Sequence, residues 1–192
     1  MSSHSRGFTI VELLIVIVII GILASLVIVS YRGSQQKATN LQSISVVSHY
    51  IKAILLYELA NDKYPEPSAG AQSFSCLGNG YPGNICANVN GAPPANCGGF
   101  GTVASQPWFN DAVKPHLDNK TPTVSTQTIK CNAMDLRGAY YFSNWPNVGL
   151  NATVFYYLKG DVSCGSPNGL PLTRTLLTPT TTYCYLTLPQ RV

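Results

Sequence analysis

The sequence predicts an α+β protein in which one long N-terminal helix packs against a small antiparallel β-sheet in a loop-rich, disulfide-stapled head. Three observations predict this fold class. An apolar run near the N-terminus continues into a segment with amphipathic helix spacing, from Ser34 to Ala60. Three segments near the C-terminus have the character of strands. Six cysteines follow the helix.

The first element is an apolar run of membrane length. No charged residue lies between Leu13 and Tyr31, and about 20 apolar residues are needed to cross a bilayer as a helix. The apolar part of a cleavable signal peptide is shorter, and no small-residue cleavage site follows this run. A cut is therefore expected before it, between Gly7 and Phe8, where a short basic leader containing Arg6 ends.

The residues around this junction carry a family resemblance. The sequence RGFTIVELL begins at Arg6, precedes an apolar helix and resembles the type IV prepilin signature. The resemblance implies that a prepilin peptidase in the membrane cuts after Gly7 and methylates the new amine of Phe8. It also implies that the chain first resides in the inner membrane as a single-pass prepilin. Subunits would then polymerise with one another through their apolar helices, on an assembly platform driven by a motor.

Glu12 is the single carboxylate at the start of the apolar run. A charge inside hydrocarbon costs roughly 2.5 to 3.5 kcal/mol on insertion scales, so it needs a partner or a function. After cleavage the amine of Phe8 would lie about one helical turn before Glu12. The amine of a neighbouring subunit could serve equally well, and the resemblance favours that pairing during assembly. The alternative is a carboxylate at the membrane edge that reaches water.

Residues 34–63 form the amphipathic part of the predicted helix. Apolar residues recur at helical spacing from Leu41 to Leu59, while Asn40 and Glu58 are placed on other faces, so we expect the sheet to cover that apolar stripe. Pro65 ends the helix. The predicted regions are a leader, a transmembrane and filament-core helix, an amphipathic helix and a globular head, at residues 1–7, 8–33, 34–63 and 64–192.

The head is predicted to combine loops with a C-terminal sheet. Residues 66–135 are rich in Pro, Gly and Asn, and we expect loops held by cross-links, apart from one short helix at Ser105–Lys114. Strands are expected at Ala139–Trp145, Ala152–Lys159 and Thr181–Leu188, which suggests an antiparallel sheet.

Six cysteines in an exported domain most simply form three disulfides, whose pairing the sequence alone does not choose. The favoured bridge joins Cys164 to Cys184, because it would tie the last strand to its predecessor. It would contribute roughly 3 kcal/mol through loop entropy, and it resembles the C-terminal disulfide loop of many pilins. The remaining four cysteines are expected to pair among themselves: Cys76, Cys86, Cys97 and Cys131.

Signals for metal, cofactor or catalytic chemistry are weak. No C-x2-C spacing occurs and the three histidines are scattered, so no metal site and no cofactor are predicted. A calcium loop around Asp161 and Asn168 is an alternative, because some members of the resembled family bind calcium in their sheet domain. The eight acidic residues are scattered and no nucleophile or phosphate-loop motif occurs, so no enzymatic activity is expected.

The formal charge of +4 leaves a nucleic-acid partner open. Lys114, Lys120, Lys130 and Arg137 lie in one region of the sequence, and repetition along a filament would multiply a weak site through avidity. Solvated surface charge is the simpler interpretation of these residues.

Three functions remain. The first is a structural subunit of a type IV pilus outside the cell, serving adhesion, motility or DNA uptake. The second is a pseudopilin of a type II secretion or competence machine, and the third is a single-pass anchored surface domain that binds a ligand without polymerising. The cysteine-stapled head favours the pilus over the pseudopilus. Glu12 beside the Gly7–Phe8 junction argues against the anchored domain.

Overall fold

The computed structural model describes residues 9–67, 73–89, 97, 101–131, 134–143 and 152–189. The chain divides into two compact units, Met1–Ala38 and Thr39–Val192. Helix α1 runs from Ile10 to Asn61 and contributes residues to both units. The helix end at Asn61 agrees with the stop expected before Pro65.

The described part of the first unit is almost entirely helical, and its large apolar side chains are exposed. It contains the one described segment that is long and apolar enough to cross a membrane, with a mean hydropathy of 3.3 over 18 residues and none of them buried. Every large apolar side chain from Ile10 to Ile28 is at least 48% exposed. An apolar surface of this extent needs lipid or other helices around it.

The second unit contains the remainder of α1, a second helix and nine strands among the described residues. Helix α2 is Pro107–Val113. The strands are β1 Phe74–Cys76, β2 Ile85–Val89, β3 Val103–Ala104, β4 Ile129–Cys131, β5 Met134–Leu136, β6 Ala139–Phe142, β7 Thr153–Lys159, β8 Thr173–Thr178 and β9 Thr181–Thr187.

Five of these strands form the large sheet, in the order β1-β6-β7-β9-β8 with every pair antiparallel. Its three inner strands, β6, β7 and β9, are the three that the sequence predicts. The fold class is therefore confirmed. The sequence analysis missed the two edge strands, β1 and β8. The last two residues of the first predicted strand, 144 and 145, lie outside the described residues.

A second sheet stands where the sequence analysis expected only loops and one helix. This small sheet has the antiparallel order β3-β2-β5-β4. Its strands are two to five residues long, so none of them carries enough alternating positions to be recognised on its own. The helix expected at Ser105–Lys114 is present as α2, but the Ser105 hydroxyl donates to the carbonyl of Gly78 at 2.8 Å instead of capping it.

The large sheet has a hydrophobic core on each face. Neighbouring residues of a strand point to opposite faces, so Tyr141 and Tyr156 pack with α1 while Tyr140 and Tyr157 pack with the small sheet. On the second face aromatic rings stack across adjacent strands, with ring centroids of Tyr140 and Phe155 4.8 Å apart. The central strands are thus buried on both faces, and the head has three layers: α1, the large sheet and the small sheet.

Three disulfides join elements of the head. Cys164 is bonded to Cys184, which is the pairing that the sequence analysis favours. The other four cysteines pair among themselves, as Cys76–Cys86 and Cys97–Cys131. Cys76 belongs to the large sheet and Cys86 to the small sheet, so the first of these bridges joins the two sheets.

The stripe predicted for α1 is buried in its middle but not at its ends. Leu41 and Leu59, expected under the sheet, are 67% and 61% exposed. The buried stripe has apolar residues in its middle and polar residues at its ends, where Asn40 and Glu58 are 7% and 8% exposed. Its fully buried apolar members are Val47, Tyr50, Ile51, Ala53 and Ile54. The prediction was right in the middle of the stripe, at Val47, Ile51 and Ile54, and wrong at its ends. It failed there because it assigned Asn40 and Glu58 to other faces on polarity alone.

Asn40 is buried because its side-chain amide pairs with backbone. Its Nδ2 donates to the carbonyl of Lys159 at 2.9 Å, and its Oδ1 accepts from the Lys159 N–H at 3.2 Å. The amide therefore takes the place of a strand partner at the end of β7. Ser48 and Asn168 form a second reciprocal pair between α1 and the head, Ser48 Oγ to Asn168 Oδ1 at 3.0 Å and Asn168 Nδ2 to the Ser48 carbonyl at 2.9 Å.

We predict that Asn40→Ala destabilises the head by about 1 to 3 kcal/mol, because the Lys159 N–H and carbonyl lose their buried partner. The measurement is thermal unfolding of the full chain in detergent, followed by near-ultraviolet circular dichroism. Gln42→Ala is the matched control, since Gln42 is exposed on the same helix. Equal melting temperatures for the two variants would contradict the role given to Asn40.

The buried tyrosines lead to a second prediction, about the stability of the head at alkaline pH. Burial raises the pKa of seven of the 11 tyrosines above the ordinary value of 10: Tyr50, Tyr81, Tyr140, Tyr141, Tyr156, Tyr157 and Tyr183. Only the deprotonated phenol is charged, so the folded head holds these groups neutral at a pH where the unfolded chain would ionise them. Stability is fully present below pH about 10 and falls as the pH rises above it.

We expect tyrosinate absorbance at 295 nm to rise and near-ultraviolet dichroism to disappear together, in one cooperative step above pH about 10. Gradual ionisation of all tyrosines with the fold intact would show that the aromatic core is accessible to water.

Candidate functional site

The predicted processing site lies at the edge of what the structure describes. Gly7 and Phe8, the expected cleavage and methylation positions, fall outside the described residues. The described part of the site begins at Thr9 and includes Glu12, which occupies the first turn of α1.

Thr9 and Glu12 form a capping box at the start of α1. The Thr9 N–H donates to Glu12 Oε2 at 3.0 Å, and the Glu12 N–H donates to Thr9 Oγ1 at 3.2 Å. The Thr9 hydroxyl also donates to Glu12 Oε2, at 2.8 Å. This reciprocal pairing satisfies two backbone donors that the helix itself leaves without partners. The sequence analysis missed it, although the T-x-x-E spacing is the known signature of a capping box.

The capping box leaves half of the carboxylate available. Both hydrogen bonds from Thr9 and its backbone go to Oε2, and Oε1 takes part in no hydrogen bond among the described residues. Glu12 is also exposed. A carboxylate in the first turn is further stabilised by the helix dipole. Glu12 is therefore held in one orientation by its own helix while its second oxygen can accept a donor from another group.

The apolar surface that follows Glu12 has no partner among the residues that the structure describes. At Gly21, a Cβ atom would meet nothing within 4 Å, so this glycine is not explained by close packing within the subunit. The apolar residues surround the helix on all sides, which distinguishes this segment from the one-sided stripe in the head. The chemistry that such a segment supports is association with lipid or with other copies of the helix.

The structure does not assemble the alternative sites considered from sequence. Among the described residues no group of three His, Cys, Asp or Glu side chains could hold a metal. Asp161 forms an ion pair with Arg174, and Asn168 is hydrogen-bonded to Ser48. Each of the two candidate calcium ligands therefore already has a partner within the protein.

The basic region is partly neutralised. Lys130 forms an ion pair with Asp135, and Arg137 Nη2 lies 3.6 Å from the same carboxylate. Lys114 and Lys120 are exposed. Two of the four cations that sequence analysis grouped together therefore face a protein carboxylate.

We predict that Thr9→Ala weakens the first turn of α1 by about 1 kcal/mol, which corresponds to about fivefold faster amide exchange there. Hydrogen exchange of the N-terminal peptide, measured by mass spectrometry on the full chain in detergent micelles, tests this. Thr9→Ser keeps the capping hydroxyl and serves as the control. The capping box would be excluded as a stabilising contact if the alanine and serine variants exchanged at the same rate.

Comparison with known proteins finds relatives that share the N-terminal segment. The prokaryotic N-terminal methylation motif matches residues 2–28. Type II secretion system core protein G of Escherichia coli is 35% identical over 112 residues, which are 58% of this chain and 72% of that protein. No solved structure matches the chain significantly.

Two further relatives match over shorter segments. Core protein G of Klebsiella pneumoniae is 40% identical over 71 residues, or 37% of this chain and 51% of that protein. The type IV major pilin protein PilE1 of Neisseria gonorrhoeae is 34% identical over 71 residues, 37% of this chain and 43% of that protein. The methylation motif, the apolar helix behind Glu12 and the similarity over 72% of a core protein G together show that this chain belongs to the family of type IV pilins and type II secretion pseudopilins.

Proposed function

We propose that this chain is a structural subunit of a helical filament of the secretion-machine type, a pseudopilus, and that it has no catalytic role. The observation that carries the proposal is the apolar surface of α1, which the chain leaves uncovered on every side from Ile10 to Ile28. Similarity to core protein G over 58% of the chain supports the secretion class. The sequence analysis favoured the pilus instead because of the cysteine-stapled head.

Assembly begins in the proposed mechanism when the prepilin peptidase cuts between Gly7 and Phe8. The freed amine of Phe8 on one subunit donates to Glu12 Oε1 of its neighbour, while the capping box holds Oε2. Apolar helices in lipid gain little hydrophobic free energy by associating, because lipid tails are as apolar as the side chains. A charged pair that is formed only in the correct register therefore selects the arrangement, and an external motor supplies the work of extraction.

The second half of α1 extends the polymer contact into the head. Leu59 follows Leu41 by five turns at about 3.6 residues per turn, so both lie on the same exposed face. Leu56 lies beside them and is 38% exposed. Neighbouring helices in a filament would cover this face, which explains why the head leaves it open.

A type IV pilus is the second candidate. The 34% identity to a major pilin favours it, and three disulfides would suit a head exposed outside the cell. The two functions share processing and polymerisation and differ in where the filament ends, either within the envelope or beyond the cell surface.

The experiment is to shear cells and identify the N-terminal peptide of this protein by mass spectrometry in the sheared and membrane fractions. A peptide that begins with N-methylated Phe8 and stays with the membrane supports the pseudopilus. The same peptide in abundance among sheared filaments would instead establish the pilus. An intact leader confined to the membrane would overturn both and favour an anchored domain.

Glu12→Ala is the variant for the assembly step, because it removes the carboxylate but leaves the apolar segment unchanged. We expect normal membrane insertion and loss of filaments, measured by electron microscopy and by intermolecular cross-linking. Glu66→Ala is the control, since Glu66 is an exposed carboxylate of the head. Normal filament yield from Glu12→Ala would refute the proposed pairing, and a mature N-terminus at Phe8 in Gly7→Leu would refute the processing site.

A further inference from the structure

The chain contains three Asn-Gly dipeptides, in which the side-chain amide of the asparagine is unusually prone to hydrolysis. Because glycine has no side chain, its backbone nitrogen can approach the Cγ atom of the preceding asparagine with little hindrance. Asn79–Gly80 and Asn168–Gly169 are described by the structure, whereas Asn90–Gly91 lies outside the described residues. The filament mechanism uses none of these residues, and their hydrogen bonds decide how readily each amide reacts.

Asn168 is exposed on the head, inside the loop of residues 164–184 that the third disulfide closes. It belongs to a short 3₁₀ turn at Pro167–Gly169. Its φ of +53° lies in the left-handed region, which asparagine adopts more readily than most residues. An exposed turn is a place where an Asn-Gly amide usually reacts with water, so the contacts that hold this one are significant.

Ser48 of α1 holds the Asn168 amide at both ends. Ser48 Oγ donates to Asn168 Oδ1 at 3.0 Å, and Asn168 Nδ2 donates to the Ser48 carbonyl at 2.9 Å. The attacking nitrogen is also engaged, because the Gly169 N–H donates to the Ser166 carbonyl at 3.1 Å. The amide and the nitrogen that would attack it are therefore each bound to another group, and both must be released before they can react.

We propose that Asn168 is a site of hydrolytic self-modification and that its contact with Ser48 sets the rate. When the contact opens, the Gly169 nitrogen loses its proton and bonds to Asn168 Cγ. The Cγ–Nδ2 bond breaks, and the amide nitrogen takes up a proton and leaves as ammonia. One water molecule then opens the succinimide ring at either carbonyl and gives aspartate or isoaspartate. The balance is one water consumed and one ammonia released, without oxidation or reduction.

The product cannot restore the original contact. A carboxylate has no N–H to donate, so the Ser48 carbonyl loses its donor and faces a negatively charged oxygen instead. Gly165, in the same loop, also lies against α1, since a Cβ there would be 3.0 Å from Ile44 Cγ2. The modification therefore removes one of the contacts that hold this loop on the helix, while the Cys164–Cys184 disulfide keeps the ends of the loop joined.

Asn79–Gly80 has a different environment and provides an internal reference. Asn79 Oδ1 accepts from Asn110 Nδ2 at 2.9 Å, and Asn79 Nδ2 donates to Thr121 Oγ1 at 3.0 Å. The Asn79 N–H also donates to the Thr121 carbonyl, at 3.4 Å. The Cys76–Cys86 disulfide closes a short loop around this site. Release of Asn79 thus requires several segments of the head to separate, whereas release of Asn168 requires the opening of one contact.

The test is the rate of conversion at each site in the full chain, folded in detergent micelles at pH about 8, below the alkaline transition. The protein is incubated in water enriched in oxygen-18, digested and analysed by mass spectrometry, with electron-transfer fragmentation to separate aspartate from isoaspartate. Uptake of the label marks hydrolysis that took place during the incubation. Because the reaction proceeds from the locally open form, its rate follows the equilibrium for opening.

Ser48→Ala removes one of the two hydrogen bonds and should accelerate the conversion of Asn168 about fivefold, with Asn79 unchanged. Ser45→Ala is the matched control, because Ser45 is an exposed serine of the same helix, and both rates should stay at the wild-type value. Equal rates at Asn168 in the two variants would overturn the proposal. Equal acceleration at Asn79 in Ser48→Ala would overturn it as well, because the substitution would then have loosened the whole head.

Asn168→Asp tests the consequence of the modification separately, because aspartate tolerates the same positive φ. We expect amide hydrogen exchange in residues 163–172 to become at least about fivefold faster than in the wild type. Asn119→Asp is the control, since Asn119 is exposed and has a φ of +59° but lies outside this loop. Unchanged exchange in the loop of Asn168→Asp would refute its release from α1.

Discussion

The apolar surface of α1 is the constraint on which the rest of the molecule depends. From Ile10 to Ile28 the helix exposes large apolar side chains in every direction, and no other described segment of the chain covers them. Such a segment is stable in lipid or among other helices, but not in water. The hydrophobic cores of the head are therefore built from residues outside this segment. Glu12 is the one charged group at the start of the segment, so it is the natural place for a directional contact.

The head meets this requirement by covering one sheet on both faces. Helix α1 and the small sheet bury opposite sides of β6, β7 and β9, which gives two cores instead of one. A domain of this size gains stability from cross-links as well, and the three disulfides join cysteines that are 10, 34 and 20 positions apart in the sequence. The outer face of α1, with Leu41 and Leu59, is left free for contacts with other copies.

The sequence was sufficient for the features that depend on local pattern. The apolar run, the helix end before Pro65 and the three inner strands follow from periodicity and from proline stereochemistry, and the structure has them. The small sheet could not be predicted, because its short strands exist only through pairings such as that of Asn88 with Asp135. The burial of Asn40 was missed for a related reason: its partner, the backbone of Lys159, is 119 residues away.

Polar side chains of this protein differ in whether all their hydrogen bonds are formed within the subunit. Asn40 uses both ends of its amide within the subunit, and the contact it makes is purely internal. Glu12 differs, because Thr9 occupies Oε2 while Oε1 accepts no hydrogen bond among the described residues. Apolar surfaces in a polymer set how much area is buried but tolerate sliding, whereas a free acceptor is satisfied in one register only. In the proposed filament, this fixed acceptor at the start of α1 would therefore provide the geometric specificity that apolar helices alone lack.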